Sequence, residues 1–357
     1  MIGRQSVGKT SSTLIVVPLV VLLGITLILG MGLGSTRIPP MMVLKALFDQ
    51  PEDPEMLSVK VGAMDLPYDQ AVLIVRAVRL PRVLLAAVVG SALAMSGVAF
   101  QGVLANPMAD PYVIGVSAGA ALGATLGMIL GFDRSLGGFS AVPAAAFAGS
   151  LAAMLGVYLI ASAAGRGKAS VMALLLAGIS MSTILSAFVS LLMVLRRARL
   201  EKIFLWLMGG LSNADWRYLP TCAGYVIFAG TFLCLYSRDL NAMAFGEEVA
   251  GHLGVNPERA KGIVVFLASL MTAASVAVTG LIGFVGLLVP HITRFIVGPD
   301  NRRVLPASGL IGASLLVGAD TIARTIMAPA EIPVGIITAL IGGPFFLFLL
   351  YREKRVV

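Results

Sequence analysis

Long stretches without a single charged side chain constrain the fold of this sequence more than any other feature. Eight runs of at least 20 residues contain no Asp, Glu, Lys or Arg, and they lie at 10–36, 83–109, 111–132, 135–165, 169–195, 218–237, 262–293 and 332–351. A helix needs about 20 apolar residues to cross the hydrocarbon core of a bilayer. With 58% hydrophobic and 12% charged residues, the composition excludes an ordinary soluble domain. The sequence therefore predicts an all-α, polytopic membrane protein.

Two of the apolar stretches need adjustment before the helices can be counted. The run 304–319 becomes another spanning helix if it extends past Asp320. The stretch 262–293 is too long for one crossing and carries glycines and a proline near its end. We therefore divide it into a full span ending near Phe284 and a short helix at about 286–297. Eight runs, one addition and one division give ten transmembrane helices, an even number that places both termini on the same side.

The orientation of the chain depends on the charged segments between the helices. Basic residues are about equally numerous on the two sides, so the enrichment of Lys and Arg in cytoplasmic loops does not decide it. The acidic stretch 49–55 looks external and the basic tail 351–357 looks internal. We therefore predict that both termini are cytoplasmic, with a cytoplasmic tail at 1–12 and an external loop at 35–75. The whole chain is expected to form a single transmembrane domain, 1–357.

An apparent phosphate-binding loop precedes the first helix. Residues 3–10, GRQSVGKT, match the pattern G-x-x-x-x-G-K-[ST]. Such a loop binds phosphate where it joins a buried strand to a helix, but here a membrane span follows and only two residues precede it. We interpret the match as coincidental and predict that the chain is not an enzyme. Unchanged transport by a Lys9→Ala variant would exclude an ATPase activity of this segment.

A charged segment, 238–261, interrupts the apolar sequence and contains short amphipathic helices of its own. Glu247 and Glu248 follow a glycine and fall in the first turn of one helix, where the helix dipole favours acids. Gly254 is expected to end that helix. The apolar residues of segment 238–261 that are expected to face water are Met243, Phe245, Val249 and Leu253. An ordinary structured loop is one interpretation, and a surface covered by a partner protein is the other.

Small and hydroxyl side chains recur every four residues in two of the predicted helices. The glycines of the third helix are Gly115, Gly119, Gly123, Gly127 and Gly131. They favour close helix packing over a permeation path lined by bare backbone. Ser182, Ser186 and Ser190 share one face of the fifth helix. These hydroxyls either line a path or bond back to carbonyls one turn earlier.

Several charges are predicted to lie at the ends of membrane helices. Asp320 and Arg324 have the i,i+4 spacing of an ion pair on one helix. Arg76, Arg79 and Arg82 crowd the start of the second helix, and with Arg324 they would make a positive rim on the outer face. Contact with lipid headgroups is the alternative interpretation of these arginines.

Metal and redox chemistry find no support in the sequence. Cys222 and Cys234 lie far apart on one predicted helix and cannot form a disulfide. His252 and His291 are the only histidines, so a transition-metal site is not expected. We predict that the chain itself binds no metal and no cofactor.

Several longer motifs are, taken together, specific for one family. They are RLPR (79–82), GSALAMSGVAFQGVLANPMADPYVIGVSAGAALGA (90–124), LLLAG (174–178), WLMGGL (206–211), LNAMAFGEEVAGHLGV (240–255), TGLIGFVGLLVPHITRFIVGPDNRRVLP (279–306), GADTIAR (318–324) and EIPVGIITALIGGPFFLFLL (331–350). In order, and over nearly the whole chain, these segments resemble the permease subunits of iron-siderophore, haem and cobalamin ABC importers of the FecCD type. The external segment 49–70 is longer than this resemblance leads us to expect, and we assign it no role.

The resemblance implies the type II ABC importer permease fold and a role in transport. Such a permease forms a homodimer in the cytoplasmic (inner) membrane, around a path lined by the fifth and tenth helices. It works by alternating access with two cytoplasmic ATP-binding subunits, which use ATP and Mg²⁺, and with a periplasmic or lipid-anchored substrate-binding protein. Membrane lipid is a further expected partner, and nucleic acid is not.

The resemblance also implies roles for individual residues. Segment 238–261 corresponds to the coupling helices that dock on the ATPase, and its coupling residues are Leu240, Asn241, Gly246, Glu247, Glu248, Ala250, His252, Leu253 and Gly254. The arginines expected to meet glutamates of the binding protein are Arg79, Arg82 and Arg324. The translocation path and its inner gate are expected to involve Asn106, Pro107, Met108, Ser170, Val171, Met172, Ser182 and Ser186.

The sequence leaves the cargo open, because selectivity lies mostly in the binding protein. Ferric siderophore, haem, cobalamin and an oxyanion such as molybdate all fit, and so do a bacterial and an archaeal host. The alternative function is a secondary transporter driven by an ion gradient, a class that usually has broken helices and buried acids near the membrane midplane. Asp320 is the candidate for such an acid.

Overall fold

The fold was obtained as a computed structural model that describes residues 12–48, 58–61, 64–132, 140–165 and 169–353. The phosphate-loop match at 3–10 and the acidic stretch 49–55 lie outside the described residues. So do residues 354–357 of the basic tail.

Fifteen α-helices and one two-stranded sheet form the described part of the chain. The helices are α1 Ser12–Gly32, α2 Pro40–Phe48, α3 Tyr68–Leu73, α4 Leu80–Val103, α5 Val116–Ile129, α6 Val142–Ala164, α7 Val171–Leu195, α8 Leu200–Leu207, α9 Leu219–Leu235, α10 Ser237–Met243, α11 Glu247–His252, α12 Pro257–Thr279, α13 Val285–Val297, α14 Asn301–Thr325 and α15 Val334–Glu353. A π-helical turn, Ile74–Arg79, joins α3 to α4, and a 3₁₀ turn, Arg197–Arg199, precedes α8.

The ten predicted membrane helices correspond to ten apolar helical segments among the described residues, of which up to six are long enough to cross a bilayer. Five helices are long and apolar enough to cross a bilayer, and the bent pair formed by α9 and α10 is a sixth. Four shorter apolar stretches, in α1, α5, α13 and α15, bring the number of apolar helical segments among the described residues to ten. The remaining helices are short and lie between the crossing segments.

The segment expected as an external loop, 35–75, has secondary structure of its own. It contains α2, α3 and a hairpin in which β1 (Ser58–Val61) pairs antiparallel with β2 (Met64–Pro67). Arg76 donates hydrogen bonds to the carbonyl oxygens of Ala46 and Leu47 at the end of α2. This hairpin is the only β-structure in the described ranges, and the crossing part of the chain is helical, as predicted.

The division of 262–293 is confirmed, although the break comes earlier than predicted. α12 ends at Thr279 and α13 begins at Val285. The break falls there because Gly280 has φ +71°, a conformation that other residues rarely adopt. The hydroxyl of Tyr112 accepts from the Ile282 N–H (3.1 Å) and donates to the Ile282 carbonyl (2.9 Å). It thereby pairs polar backbone groups that the break leaves outside a helix.

The predicted close packing of glycines is confirmed at the centre of α5. A Cβ atom at Gly119 would lie 2.3 Å from the carbonyl oxygen of Gly149 in α6, and one at Gly123 would lie 2.2 Å from that of Ala145. The backbones of α5 and α6 therefore approach each other as bare surfaces. A Cβ atom at Gly127 would still lie 3.3 Å from the Ala145 Cβ atom, whereas Gly131, two residues beyond α5, has no neighbour within 4 Å of such an atom.

Burial separates the central helices from the peripheral ones. In the continuous helix that ends with α4 (Tyr68–Val103) and in α12, 78% of the most apolar 18 residues are buried inside the chain. In α7 only 11% of the corresponding residues are buried. α15 also exposes large apolar side chains, among them Leu340 and Leu347. The two helices expected to line the path, α7 and α15, are thus available to lipid or to another protein chain.

Candidate functional site

The predicted coupling segment, 238–261, folds as two short helices followed by the start of α12. Gly246 and Gly254 bracket α11 and have φ values of +103° and +84°, so the helix begins and ends where glycine is favoured. The side chain of Asn256 then caps α12 by accepting from the Arg259 N–H at 3.1 Å. The expected short helices and the expected end of α11 at Gly254 are therefore present.

Three apolar side chains of the coupling segment are exposed. Phe245, Val249 and Leu253 are 76%, 44% and 66% exposed. Met243 was expected on the same surface, but it is 5% exposed; it lies at the end of α10, whose inner face packs on the helix bundle. The exposed patch consists of Phe245, Val249 and Leu253, and we call it the apolar patch. Glu248 and His252 are exposed beside it.

The opposite side of the coupling segment is anchored in the bundle. Leu240 and Ala250 are fully buried. Leu240 packs closely on Gly102 near the end of α4, where an added Cβ would lie 2.9 Å from the Leu240 Cδ2 atom. Gly102 lies four residues before Asn106, the first residue of the predicted gate. The first inward connection therefore leads from α10 to the end of α4.

A second inward connection is made by Asn241. Its amide nitrogen donates to Asp300 Oδ1 at 2.6 Å, and its amide oxygen accepts from the Asn301 N–H at 2.9 Å. Burial raises the pKa of Asp300, but hydrogen bonds from Asn241 and from the Arg302 N–H, with the charges of Arg302 and Arg303, lower that pKa below its ordinary value. Asp300 is therefore a carboxylate at neutral pH and holds α10 against the start of α14.

A third inward connection passes through Lys261, whose side chain is only 2% exposed. Its ammonium group donates to Glu247 at 3.0 Å, to Glu258 at 2.9 Å and to the carbonyl oxygen of Ala169 at 3.4 Å. Ser170, the next residue after Ala169, caps α7 by accepting from a backbone N–H at 3.2 Å. The sequence analysis gave Lys261, the last residue of segment 238–261, no role of its own. The i,i+3 spacing from Glu258 was the one local signal for pairing.

The predicted gate residues lie at exposed positions in the single chain. Asn106, Pro107 and Met108 are exposed, and the Asn106 side chain accepts from the Met108 N–H at 2.9 Å. Asn106 and Pro107 line a cavity of about 490 Å³ together with Ala244 of the coupling segment and Arg294 of α13.

The other half of the predicted gate lies at the start of α7. Ser170 and Met172 are exposed and Val171 is half-buried. Within the described residues, no hydrogen bond joins this half to Asn106, Pro107 or Met108. α7 does contact the chain beyond the first half, because a Cβ atom at Gly178 would lie 2.2 Å from the carbonyl oxygen of Val113.

The serine face of α7 combines both interpretations that the sequence allowed. Ser190 donates to the carbonyl oxygen of Ser186 at 3.0 Å, which is the expected bond to the preceding turn. Ser186 and Ser190 are nevertheless exposed, and Ser182 is half-buried. The Ser190 hydroxyl is thus satisfied within the helix, and the three serines form a polar stripe on its surface.

Three of the four arginines predicted to form the outer rim lie together but are buried, whereas Arg76 is half-buried and bonds to the end of α2. Arg79, Arg82 and Arg324 are 5%, 8% and 5% exposed. Arg79 and Arg324 donate to carbonyl groups around the end of α1, which are those of Gly30, Met31, Gly32, Leu33 and Thr36. Cations there complement the C-terminal end of the helix dipole. In this conformation the cluster joins helices and does not present an open positive surface.

Two acidic residues complete the arginine cluster. Asp320 is 1% exposed and pairs with Arg82 and with Arg324, both at 2.9 Å, so the predicted i,i+4 pair is present. Glu331 pairs with Arg82 at 2.9 Å and accepts from the Ser212 hydroxyl at 3.2 Å. The carboxylate side chain of Glu331 is 40% exposed. Glu331 is thus the member of the cluster that faces solvent.

Comparison with known proteins identifies the family. The model of the FecCD transport family matches residues 22–352. The cobalamin import system permease protein of Halobacterium salinarum is 45% identical over 288 residues, covering 81% of this chain and 76% of that protein. The hemin transport system permease protein of Yersinia pestis is 42% identical over 280 residues, covering 78% and 83%.

A solved structure supports the same assignment. It is an inward-facing conformation of a metal-chelate-type ABC transporter, with a TM-score of 0.78 and 32% identity, covering 95% of this chain and 99% of the other. The fold is therefore that of a type II ABC importer permease, as predicted, and the protein is a multi-pass membrane protein. Because the family match spans 22–352 and close relatives cover most of the sequence, this chain belongs to the FecCD transport family of permeases.

Proposed function

We propose that this chain is the transmembrane subunit of an ATP-driven importer of a metal chelate. Two copies enclose the path, an ATPase binds each coupling segment from the cytoplasm, and a binding protein delivers cargo from outside. The observation that carries this proposal is the coupling segment. Its apolar patch faces water on one side, and on the other side it is tied to α4, α7 and α14.

The three inward connections provide a mechanism for alternating access. Closure of the ATPases around ATP would displace the apolar patch. Leu240, Asn241 and Lys261 would pass that displacement to the ends of three crossing helices. Only contacts that differ between the ATP and ADP states can supply coupling free energy. The chain itself makes and breaks no covalent bond, and ATP with Mg²⁺ acts in the partner ATPase.

We place binding-protein docking at the arginine cluster. Glu331 occupies one edge of the Arg82 guanidinium and is partly exposed, so a carboxylate of the binding protein would compete with it for the same donors. Exchange of one carboxylate for another keeps Arg82 paired. It would also release Glu331, which lies three residues before α15, and so connect docking to a helix of the path.

The cargo is proposed from the relatives, two of which carry cobalamin and hemin by name. Both are large, ring-shaped metal chelates. α7 and α15 offer the surface for such a path, with the hydroxyls of Ser182, Ser186 and Ser190 as its polar groups. We propose that both termini are cytoplasmic, because this places the coupling segment on the side where ATP is available.

An ion-driven secondary transporter fits the geometry less well. Such a carrier needs an acid that can gain and lose a proton or bind a cation near the midplane. Asp320 is held by Arg82 and Arg324 and lies near the C-terminal end of α14. Its two carboxylate oxygens already accept hydrogen bonds from Arg82 and Arg324, so Asp320 acts as a structural member of the arginine cluster.

Co-purification from native membranes tests the proposed function. A Phe245→Asp/Leu253→Asp variant should lose an ATP-binding cassette protein, identified by mass spectrometry, that the wild-type chain retains. Leu130→Asp is the matched control, because Leu130 is 66% exposed and lies at the opposite end of the bundle. Vesicles containing the wild-type complex should take up cobalamin, haemin or a ferric siderophore only with ATP. Uptake driven by an ion gradient without ATP would refute the proposal.

A further inference from the structure

Lys261 brings together three segments that are separate in the sequence. Glu247 belongs to α11, Glu258 to the first turn of α12, and Ala169 to the connection between α6 and α7. A buried ammonium group is costly unless it is paired and hydrogen-bonded, which fixes these partners around it. The C-terminal part of α6 packs on α12 next to this site, since a Cβ at Gly262 would lie 2.9 Å from the Tyr158 hydroxyl oxygen.

α11 has few other attachments to the bundle. Gly246 and Gly254 flank the helix at positive φ, and a Cβ atom at either glycine would meet nothing within 4 Å. Ala250 is its one fully buried residue. The free space around both glycines leaves α11 room to shift as a unit. Among the described residues, its charge-assisted contact with the crossing helices is the one between Glu247 and Lys261.

We infer that Lys261 is a positioning residue for transport, which links the position of α11 to the start of α7 through Glu247 and the Ala169 carbonyl. The inference rests on the proposed function, because it gives the coupling segment a route to a path helix. Ala169 is 2% exposed and adjoins Ser170, the cap of α7. A displacement of Glu247 either draws Lys261 and the α7 start with it or breaks a charge-assisted hydrogen bond.

Two conservative variants separate this linkage from simple charge neutralisation. Glu247 and Glu258 contact the same ammonium group at nearly the same distance, 3.0 and 2.9 Å, but only Glu247 belongs to α11, whereas Glu258 belongs to α12. Glu247→Gln and Glu258→Gln each remove one negative charge. Lys261→Met removes the cation and leaves an apolar side chain of similar length, without a buried unpaired charge. Arg259→Met removes an exposed cation two residues away and is the control for charge alone.

The experiment uses the purified complex of permease, ATPase and binding protein in liposomes. Cargo uptake and ATP hydrolysis are measured together, with whichever of cobalamin, haemin and a ferric siderophore the wild type transports best. Loss of one charge-assisted hydrogen bond is worth about 1.5–3 kcal/mol. Because about 1.4 kcal/mol is a factor of ten, we expect Glu247→Gln and Lys261→Met to lower cargo transported per ATP by at least about tenfold. Glu258→Gln and Arg259→Met should stay within about twofold of wild type.

A distance measurement gives a readout that a merely structural role would not change. Spin labels at Gly251→Cys and Leu176→Cys, with Cys222 and Cys234 replaced by alanine, report the separation of α11 and α7. The distance distribution should broaden in Glu247→Gln and Lys261→Met, and remain narrow in Glu258→Gln. Equal effects of the two glutamate variants, or unchanged coupling in Lys261→Met, would overturn the inference. Failure of the wild-type complex to transport with ATP would instead reject the proposed function.

Discussion

At the scale of single residues, Asp320 is the most buried anion of the arginine cluster. It accepts from two guanidinium groups and is 1% exposed. In Asp320→Asn, Arg82 and Arg324 would lose their shared anion while remaining buried. Removing one partner of a buried ion pair costs about 3–5 kcal/mol. We therefore expect a clear loss of thermal stability in detergent, measured as the unfolding midpoint.

Glu331→Gln is the control for this stability measurement. It also removes a carboxylate from Arg82, but the side chain of Glu331 is 40% exposed, and Asp320 stays in place. An exposed pair contributes about 0–1 kcal/mol, so its unfolding midpoint should stay close to that of the wild type. An equal loss of stability in the two variants would mean that Asp320 is not the central anion of the cluster.

The same Glu331→Gln variant makes a separate prediction about docking. If a carboxylate of the binding protein competes with Glu331 for Arg82, then neutralising Glu331 should raise the affinity of the binding protein by about three- to tenfold. The gain should shrink at high salt, since partly exposed charges are screened. Binding measured by surface plasmon resonance at two salt concentrations checks this. Unchanged or weaker affinity would place docking elsewhere on the outer face.

The sequence predicted short-range contacts between residues better than long-range ones. The Asp320–Arg324 pair follows from i,i+4 spacing alone. Arg82 pairs with the same Asp320 across 238 residues, and no local pattern predicts which helices meet. Lys261 was missed as a site residue for the same reason, because Ala169, which it contacts, is 92 residues away in the sequence. Burial of the arginines likewise depends on α1, whose carbonyl groups surround them.

At the scale of elements, a glycine substitution can test the contact between α5 and α6. Close packing of the two helices should reverse the usual effect of such a substitution on stability. Glycine to alanine inside a helix is normally neutral or stabilising, by up to about 1 kcal/mol. Gly123→Ala should instead destabilise by about 1–3 kcal/mol, because its Cβ would lie 2.2 Å from the Ala145 carbonyl oxygen. Gly224→Ala in α9, with nothing within 4 Å, is the matched control.

The thermal unfolding midpoints of Gly123→Ala and Gly224→Ala, measured in the same detergent, test this prediction. If Gly123→Ala were as stable as Gly224→Ala, the close approach of α5 and α6 would be wrong. The four-residue period identified this packing surface in advance. It did not identify α6 as the partner, nor the end of the contact before Gly131, since both depend on how the two helices diverge in space.

Boundaries of elements were predicted where glycine or proline marks them. Gly254 lies just after the end of α11, and the break between α12 and α13 begins at Gly280. The break was placed near Phe284 and lies at Gly280, because several glycines follow one another and the sequence does not tell which one has a positive φ. Met243 was placed on the wrong side of the coupling segment, since α10 and α11 are too short for a reliable apolar period.

At the scale of the whole molecule, the exposed surfaces of α7 and α9 look alike in one chain but should differ in the assembly. Ser186 is exposed on α7, and Ile227 is 68% exposed on α9. If two copies enclose a water-filled path lined by α7, Ser186→Cys should react with a charged, membrane-impermeant thiol reagent, since the thiolate that reacts forms in water. Ile227→Cys should stay unreactive, because α9 then faces lipid.

The labelling is done on the complete complex, with Cys222 and Cys234 replaced by alanine. Reaction of Ser186→Cys should be at least about tenfold faster than that of Ile227→Cys, as the lipid core holds almost no thiolate. Bound cargo should slow the reaction at Ser186→Cys only, because cargo and reagent would share the path. Equal rates at the two positions would mean that the serine face of α7 meets lipid, and the two-copy path would have to be built from another surface.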